Sequence, residues 1–121
     1  MKNSPTQRSL AYARAQGWPV AIVEHWNPHA FIRQDLFGVI DLLVLDDEPG
    51  VLGVQACAGN SHATRRTKIT DLLSEPDGSH PLALRKWLEK HNRLEVWSWS
   101  KKGARGKRKK WEIRRERIAP A

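Results

Sequence analysis

Hydrophobic and polar positions alternate with different periods along the chain, and each change of period predicts an element. Residues 35–57, DLFGVIDLLVLDDEPGVLGVQAC, hold two runs rich in Val, Ile and Leu around the acidic turn Asp46-Asp47-Glu48-Pro49-Gly50, the pattern of two buried strands joined by a turn. Ahead of them, Ser4-Pro5-Thr6-Gln7 predicts a helix start, with Ser as cap, Pro in the first turn and Gln three residues on. Leu10, Ala11 and Ala15 carry that helix to a stop at Gly17. Residues 18–26, WPVAIVEHW, read as one strand, and 27–34 as a loop containing Pro28, His29 and Arg33. Beyond the hairpin, 58–60 form a turn, and Ser61 caps a helix reaching Leu73. Residues 75–80 link it to a third helix from Pro81 to about His91, with Leu84, Trp87 and Leu88 as its apolar stripe. Residues 93–100, RLEVWSWS, predict a strand, 101–110 a basic turn, and 111–118, WEIRRERI, the returning strand. Helix, three strands, helices and a closing hairpin make an α/β sandwich with a central mixed sheet, one domain over 1–121.

One polar residue interrupts each run of the central hairpin, Asp41 in the first and Gln55 in the second. Folding the hairpin symmetrically about Glu48 sets 43 beside 53 and 41 beside 55, so Asp41 and Gln55 share a face among apolar neighbours. A one-residue slip would part them. A carboxylate in that setting needs a bound cation, a basic neighbour or water. Glu24 is the one acid of the 18–26 strand and could join Asp41 if the two strands are adjacent, although a Glu near a strand end otherwise faces solvent.

Charge changes the picture further. The net charge is +8, and residues 101–121 hold ten basic and two acidic residues, whereas residues 1–100 hold eleven of each. The basic hairpin at about 93–118 therefore concentrates Lys101, Lys102, Arg105, Lys107, Arg108, Lys109 and Lys110 at its tip, a candidate surface for nucleic acid or else a solubilising tail. Arg65 and Lys68, three apart on one helix face, are candidates for gripping a phosphodiester backbone. Trp97 and Trp99 fall on one face of their strand, a position that suits core packing or, less commonly, stacking on bases. Six Trp stand against two Phe and one Tyr.

Other chemistry finds little support. The single Cys57 rules out an intrachain disulfide, and no Cys/His group has zinc-ligand spacing. His25 and His29 are four apart, but Pro28 between them opposes a metal-binding helix. There is no internal repeat, Gly-rich phosphate loop or Ser/His/Asp set. No signal peptide and no apolar run near 18 residues is present, so a soluble, cytoplasmic protein without membrane contact is expected.

Asp41 at the end of one strand, followed twelve residues later by Gly53-Val54-Gln55 on the next, resembles the core of the PD-(D/E)xK nuclease superfamily. The fuller string, Arg33 through Asp41 followed by GVQACAGNSHATR, resembles its Holliday junction resolvase-like branch, in small phage and bacterial proteins, over roughly residues 4–100. The resemblance implies a restriction endonuclease-like sandwich and a metal-dependent endonuclease cutting DNA, duplex or branched. Junction resolvases usually act as dimers, so a homodimer is a further implication. The resemblance also implies Mg²⁺ or Mn²⁺ held by Asp41 and the Val54 carbonyl, with Glu24 as a further ligand and Gln55 orienting the attacking water. Arg33 and Asp35 lie in the loop next to the active site in such proteins, contacting phosphate and metal or else pairing with each other. Three positions depart from the family: Gly53 replaces an acid, Gln55 replaces Lys, and the first helix has no acid. An acid at 53 and a Lys at 55 would complete the pattern. Without them the rival reading is a binding module of the same fold that holds DNA without cutting it.

Overall fold

A computed structural model describes residues 3–119. Its elements in chain order are α1 (Pro5–Ala15), β1 (Val20–Ile22), β2 (His25–Asn27), β3 (Ile32–Gln34), β4 (Leu42–Val44), β5 (Leu52–Ala58), a 3-10 turn (Gly59–Ser61), α2 (His62–Ser74), α3 (Ser79–Glu89), β6 (Arg93–Lys102) and β7 (Lys110–Arg117). The Ser4 hydroxyl accepts the Gln7 N–H at 3.1 Å and Pro5 lies in the first turn, so α1 starts where its capping residues predict.

Five strands form one sheet in the order β1-β4-β5-β6-β7. β5 and β6 run parallel and every other neighbouring pair is antiparallel, so the sheet is mixed. α2 and α3 make the crossover that a parallel pair requires. Leu10 and Ala13 of α1 pack on one face, over Leu42, Val44, Leu52, Val54 and Trp97. Ile69, Leu73 and Leu84 of α2 and α3 pack on the other, against Ile40, Cys57, Leu94 and Val96. Alternation along β4 and β5 thus decides which helices each side chain meets.

The central hairpin has the register that folding about Glu48 predicts: Leu43 pairs with Gly53 and Leu42 with Val54. Its turn is clamped from outside. Arg93, at the start of β6, donates to Asp46 at 2.6 Å and to the Pro49 carbonyl at 3.2 Å, with both ion-pair side chains buried. Gly50 sits at φ +81°, where an added Cβ would come within 2.1 Å of the His91 carbonyl oxygen.

Besides shifts of one or two residues at element ends, as in α3, which runs Ser79–Glu89, four boundaries differ from expectation. Residues 18–26 are not one strand: the Val23 and Glu24 N–H groups both donate to the Asp41 carbonyl, at 2.8 and 3.3 Å, and the chain bends there. The expected loop at 27–34 is most of a second, two-stranded arm in which β2 and β3 pair antiparallel. The first run of the central hairpin is strand only from Leu42, because Phe37 and Gly38 adopt positive φ and a tight turn carries the chain from Leu36 to Ile40. The closing hairpin keeps its strands longer, with Lys102 paired to Lys110, which reduces the basic turn to 103–109. Trp97 and Trp99 are core residues, their indole N–H groups donating to Glu95 and Ser9, both at 2.9 Å. No helix among the described residues is long and apolar enough to cross a membrane.

Candidate metal and nucleic-acid site

β5 carries Gln55 and the turn before β4 delivers Asp41, so the two side chains meet across the hairpin. Gln55 Nε2 donates to Asp41 Oδ2 at 2.8 Å, and the Ala56 backbone N–H donates to the same oxygen at 2.8 Å. Asp41 is 3% exposed and Gln55 4%. Glu24, from the bend after β1, and Asp35, at the foot of β3, complete a cluster in which the three carboxylates offer oxygens within 4.8 Å of one another.

Asp35 and Glu24 this close oppose the ionisation of Asp41, and burial adds to the penalty. The Asp41 carboxyl is pushed up to about 8, chiefly by burial, next by a hydrogen bond with the Asp35 carboxyl and by the charges of Asp35 and Glu24, while the Ala56 N–H pulls the other way. Near neutral pH the cluster therefore holds a proton that a divalent cation could displace. Gln55 Oε1, fully buried, has no hydrogen-bond partner among the described residues, which leaves an acceptor beside Asp41. A hard cation with mostly oxygen ligands and several waters suits this donor set.

The expected residues divide into groups. Gln55 is hydrogen-bonded to Asp41, and Glu24 and Asp35 stand with Asp41. The Val54 carbonyl accepts the Asp41 N–H at 2.8 Å, so it is engaged in the hairpin ladder. Arg33 does not pair with Asp35; it reaches Glu24 at 3.4 Å, with most of its side chain in solvent. Lys68 lines a cavity of about 490 Å³ together with Arg33 and Asp35, whereas Arg65 is half-buried one turn earlier on α2. Lys101, Lys102, Arg105, Lys107, Arg108, Lys109 and Lys110 are all exposed.

Register relates the basic tip to the cluster. Gln55 pairs with Val96, and β6 runs six residues further to Lys102, about 20 Å beyond at the usual rise per residue. Gln55 thus sits at the middle of β5, and the basic tip lies beyond the end at which β5 finishes. Gly53 is a different matter. A Cβ there would meet Ile40 Cδ1 at 2.9 Å and Leu94 Cδ2 at 3.2 Å. The space an acid would need at position 53 is filled by core.

A set that sequence reading did not anticipate lies deeper. His62 Nε2 is 2.7 Å from Glu116 Oε1 and Nδ1 is 2.6 Å from Ser98 Oγ, with Arg66 also on Glu116 at 3.4 Å. His62 and Arg66 hold the Glu116 carboxyl below its ordinary value. His62 and Ser98 are buried, and the chain of bonds ties the start of α2 to β6 and β7. Three residues spread over 62–116 carry no local signature, so only folding brings them together. Comparison with protein-family models, with curated proteins and with solved structures finds no match for this chain.

Proposed function

We propose that the protein is a metal-dependent endonuclease acting on DNA, with a restriction endonuclease-like fold of the PD-(D/E)xK kind. One observation carries the reading: Glu24, Asp35 and Asp41 converge within 4.8 Å beside a buried amide whose Oε1 has no partner among the described residues. Bound Mg²⁺ or Mn²⁺ would polarise the scissile phosphate and acidify a water. Asp41 is held in place by Ala56 N–H and Gln55 Nε2, so its orientation is preset. Gln55 Oε1 supplies an acceptor able to orient the attacking water, without the positive charge that a Lys would bring to the transition state. Arg33 and Lys68 flank the acids and, with the basic tip, attract the phosphate backbone.

The second reading is a module that binds DNA without cutting it, and the crowded space at Gly53 favours it. Labelled duplex and four-way junction, incubated with protein in Mn²⁺ or in EDTA, separate the two. Cleavage in Mn²⁺ that EDTA and Asp41→Ala each abolish supports the nuclease. Binding to both DNA forms with no cutting in Mn²⁺ supports the module.

A further inference from the structure

The arm formed by β2 and β3 grows out of the acid cluster. Its pairs are His25 with Gln34, Trp26 with Arg33 and Asn27 with Ile32. Glu24 and Asp35, which stand with Asp41, are the residues that flank this paired segment at its open end. Trp26 and Arg33 are directly opposed in the ladder and so share one face, and Arg33 reaches back to Glu24 at 3.4 Å. Trp26 is two residues along the chain from a carboxylate of the cluster.

Trp26 is 55% exposed and Phe31, edge-on to it at 6.5 Å between ring centroids, is 77% exposed. Phe31 holds a positive φ of 54° at the turn of the arm. Neither ring belongs to the two core clusters. Two large aromatics beside a guanidinium, next to acids suited to a metal-bridged phosphate, make a platform for a nucleobase. A base inside a duplex has its faces covered by its neighbours; a base in a single-stranded segment has a face free to stack.

Resting on the nuclease reading above, we propose that Trp26 stacks on an unpaired base next to the phosphate held at Glu24, Asp35 and Asp41. The substrate class that follows is DNA with a single-stranded segment at the reacting position, such as a flap, in preference to continuous duplex. Arg33 neutralises the neighbouring phosphate once it leaves Glu24.

The test compares a duplex bearing a single-stranded flap, with 2-aminopurine at the first unpaired position, against the same duplex fully paired. Binding is measured with Ca²⁺ in place of Mn²⁺ by fluorescence anisotropy, and stacking by the 2-aminopurine signal. The parent should bind the flap about tenfold more tightly than the duplex and change the signal. Trp26→Ala should bring flap affinity down to the duplex value and leave the signal unchanged, while Trp26→Phe keeps most of the preference. Equal parental affinity for the two DNAs, or a preference that survives Trp26→Ala, overturns the proposal. Cutting in Mn²⁺ is scored separately on both DNAs. Cleavage of flap and duplex alike, indifferent to Trp26, sinks the stacking and spares the nuclease. A Trp26-dependent flap preference without any cleavage does the reverse.

Discussion

Gln55 and Asp41 face each other across the β4–β5 hairpin, the amide donating to the carboxyl at 2.8 Å in the interior of the protein. A neutral amide satisfies one lone pair but cannot balance a charge. Burial and two further acids then keep the Asp41 proton in place up to about pH 8. A Lys at the same position would invert that balance. Several expected outcomes depend on this difference.

The first concerns stability and pH in the absence of metal. The unfolded chain releases the Asp41 proton near 3.8, whereas the folded protein keeps it to about 8. Across that window the native state binds more protons, so this carboxyl makes stability fall as pH rises, by up to about 1.4 kcal/mol per pH unit. Asp41→Asn cannot titrate. In EDTA its melting temperature should change less than the parent's between pH 5 and 8, and should exceed the parent's at pH 8. An unchanged slope would mean that Asp41 is not the group responsible.

Gln55→Lys should bring an ammonium to the acid cluster and lower the Asp41 pKa by direct pairing. The variant should lose the fall in stability between pH 5 and 8 and cut DNA faster in Mn²⁺ than the parent. Melting curves and initial cleavage rates check the two effects independently.

Gly53→Glu, by contrast, should not restore a ligand. Its Cβ would press on Ile40 and Leu94, and overpacking of this kind costs about 1–3 kcal/mol. Denaturant titration should show the loss, with no gain in Mn²⁺ affinity by calorimetry. A tighter Mn²⁺ site in a stable variant would show that Ile40 swings aside.

The hairpin tip should dominate non-specific affinity. Replacing Lys107, Arg108, Lys109 and Lys110 with Ala should weaken binding to every DNA sequence similarly. Each phosphate that the variant no longer neutralises should reduce the slope of log K against log salt by about 0.9. Affinity measured between 50 and 200 mM salt is the check, and an unchanged slope would make the tip a solubility feature.

The Arg93–Asp46 clamp predicts a purely structural effect. Arg93 holds the Asp46 carboxyl below its ordinary value through their hydrogen bonds. Its contribution is complete above pH 3.8 and fades as the pH falls through the lowered native value. Asp46→Asn leaves the buried guanidinium with only the exposed Glu48 carboxylate, 3.3 Å away, as its counter-charge, and should destabilise the protein in urea denaturation by less than the roughly 3–5 kcal/mol of a fully uncompensated buried charge. DNA affinity of the folded fraction should stay at the parental value.

The sequence by itself determined the features that local physics controls. Capping residues placed the start of α1, two branched-aliphatic runs around an acidic turn produced the β4–β5 register, and that register brought Asp41 to Gln55. Clustered charge located the basic hairpin, and alternation put Trp97 and Trp99 in the core. Tertiary structure decided the rest. Residues 18–26 break because the Asp41 carbonyl takes two N–H groups from the bend at Val23 and Glu24, a bond between segments distant in sequence. That same bend turns the 27–34 segment into an arm and sets Glu24 beside Asp35. The His62–Ser98–Glu116 chain depends on α2 packing against β6 and β7, and the crowding at Gly53 depends on Ile40 folding over from the turn before β4. Local propensity acts over a few residues, whereas a buried polar atom takes its partner from whichever strand or helix packing brings alongside it.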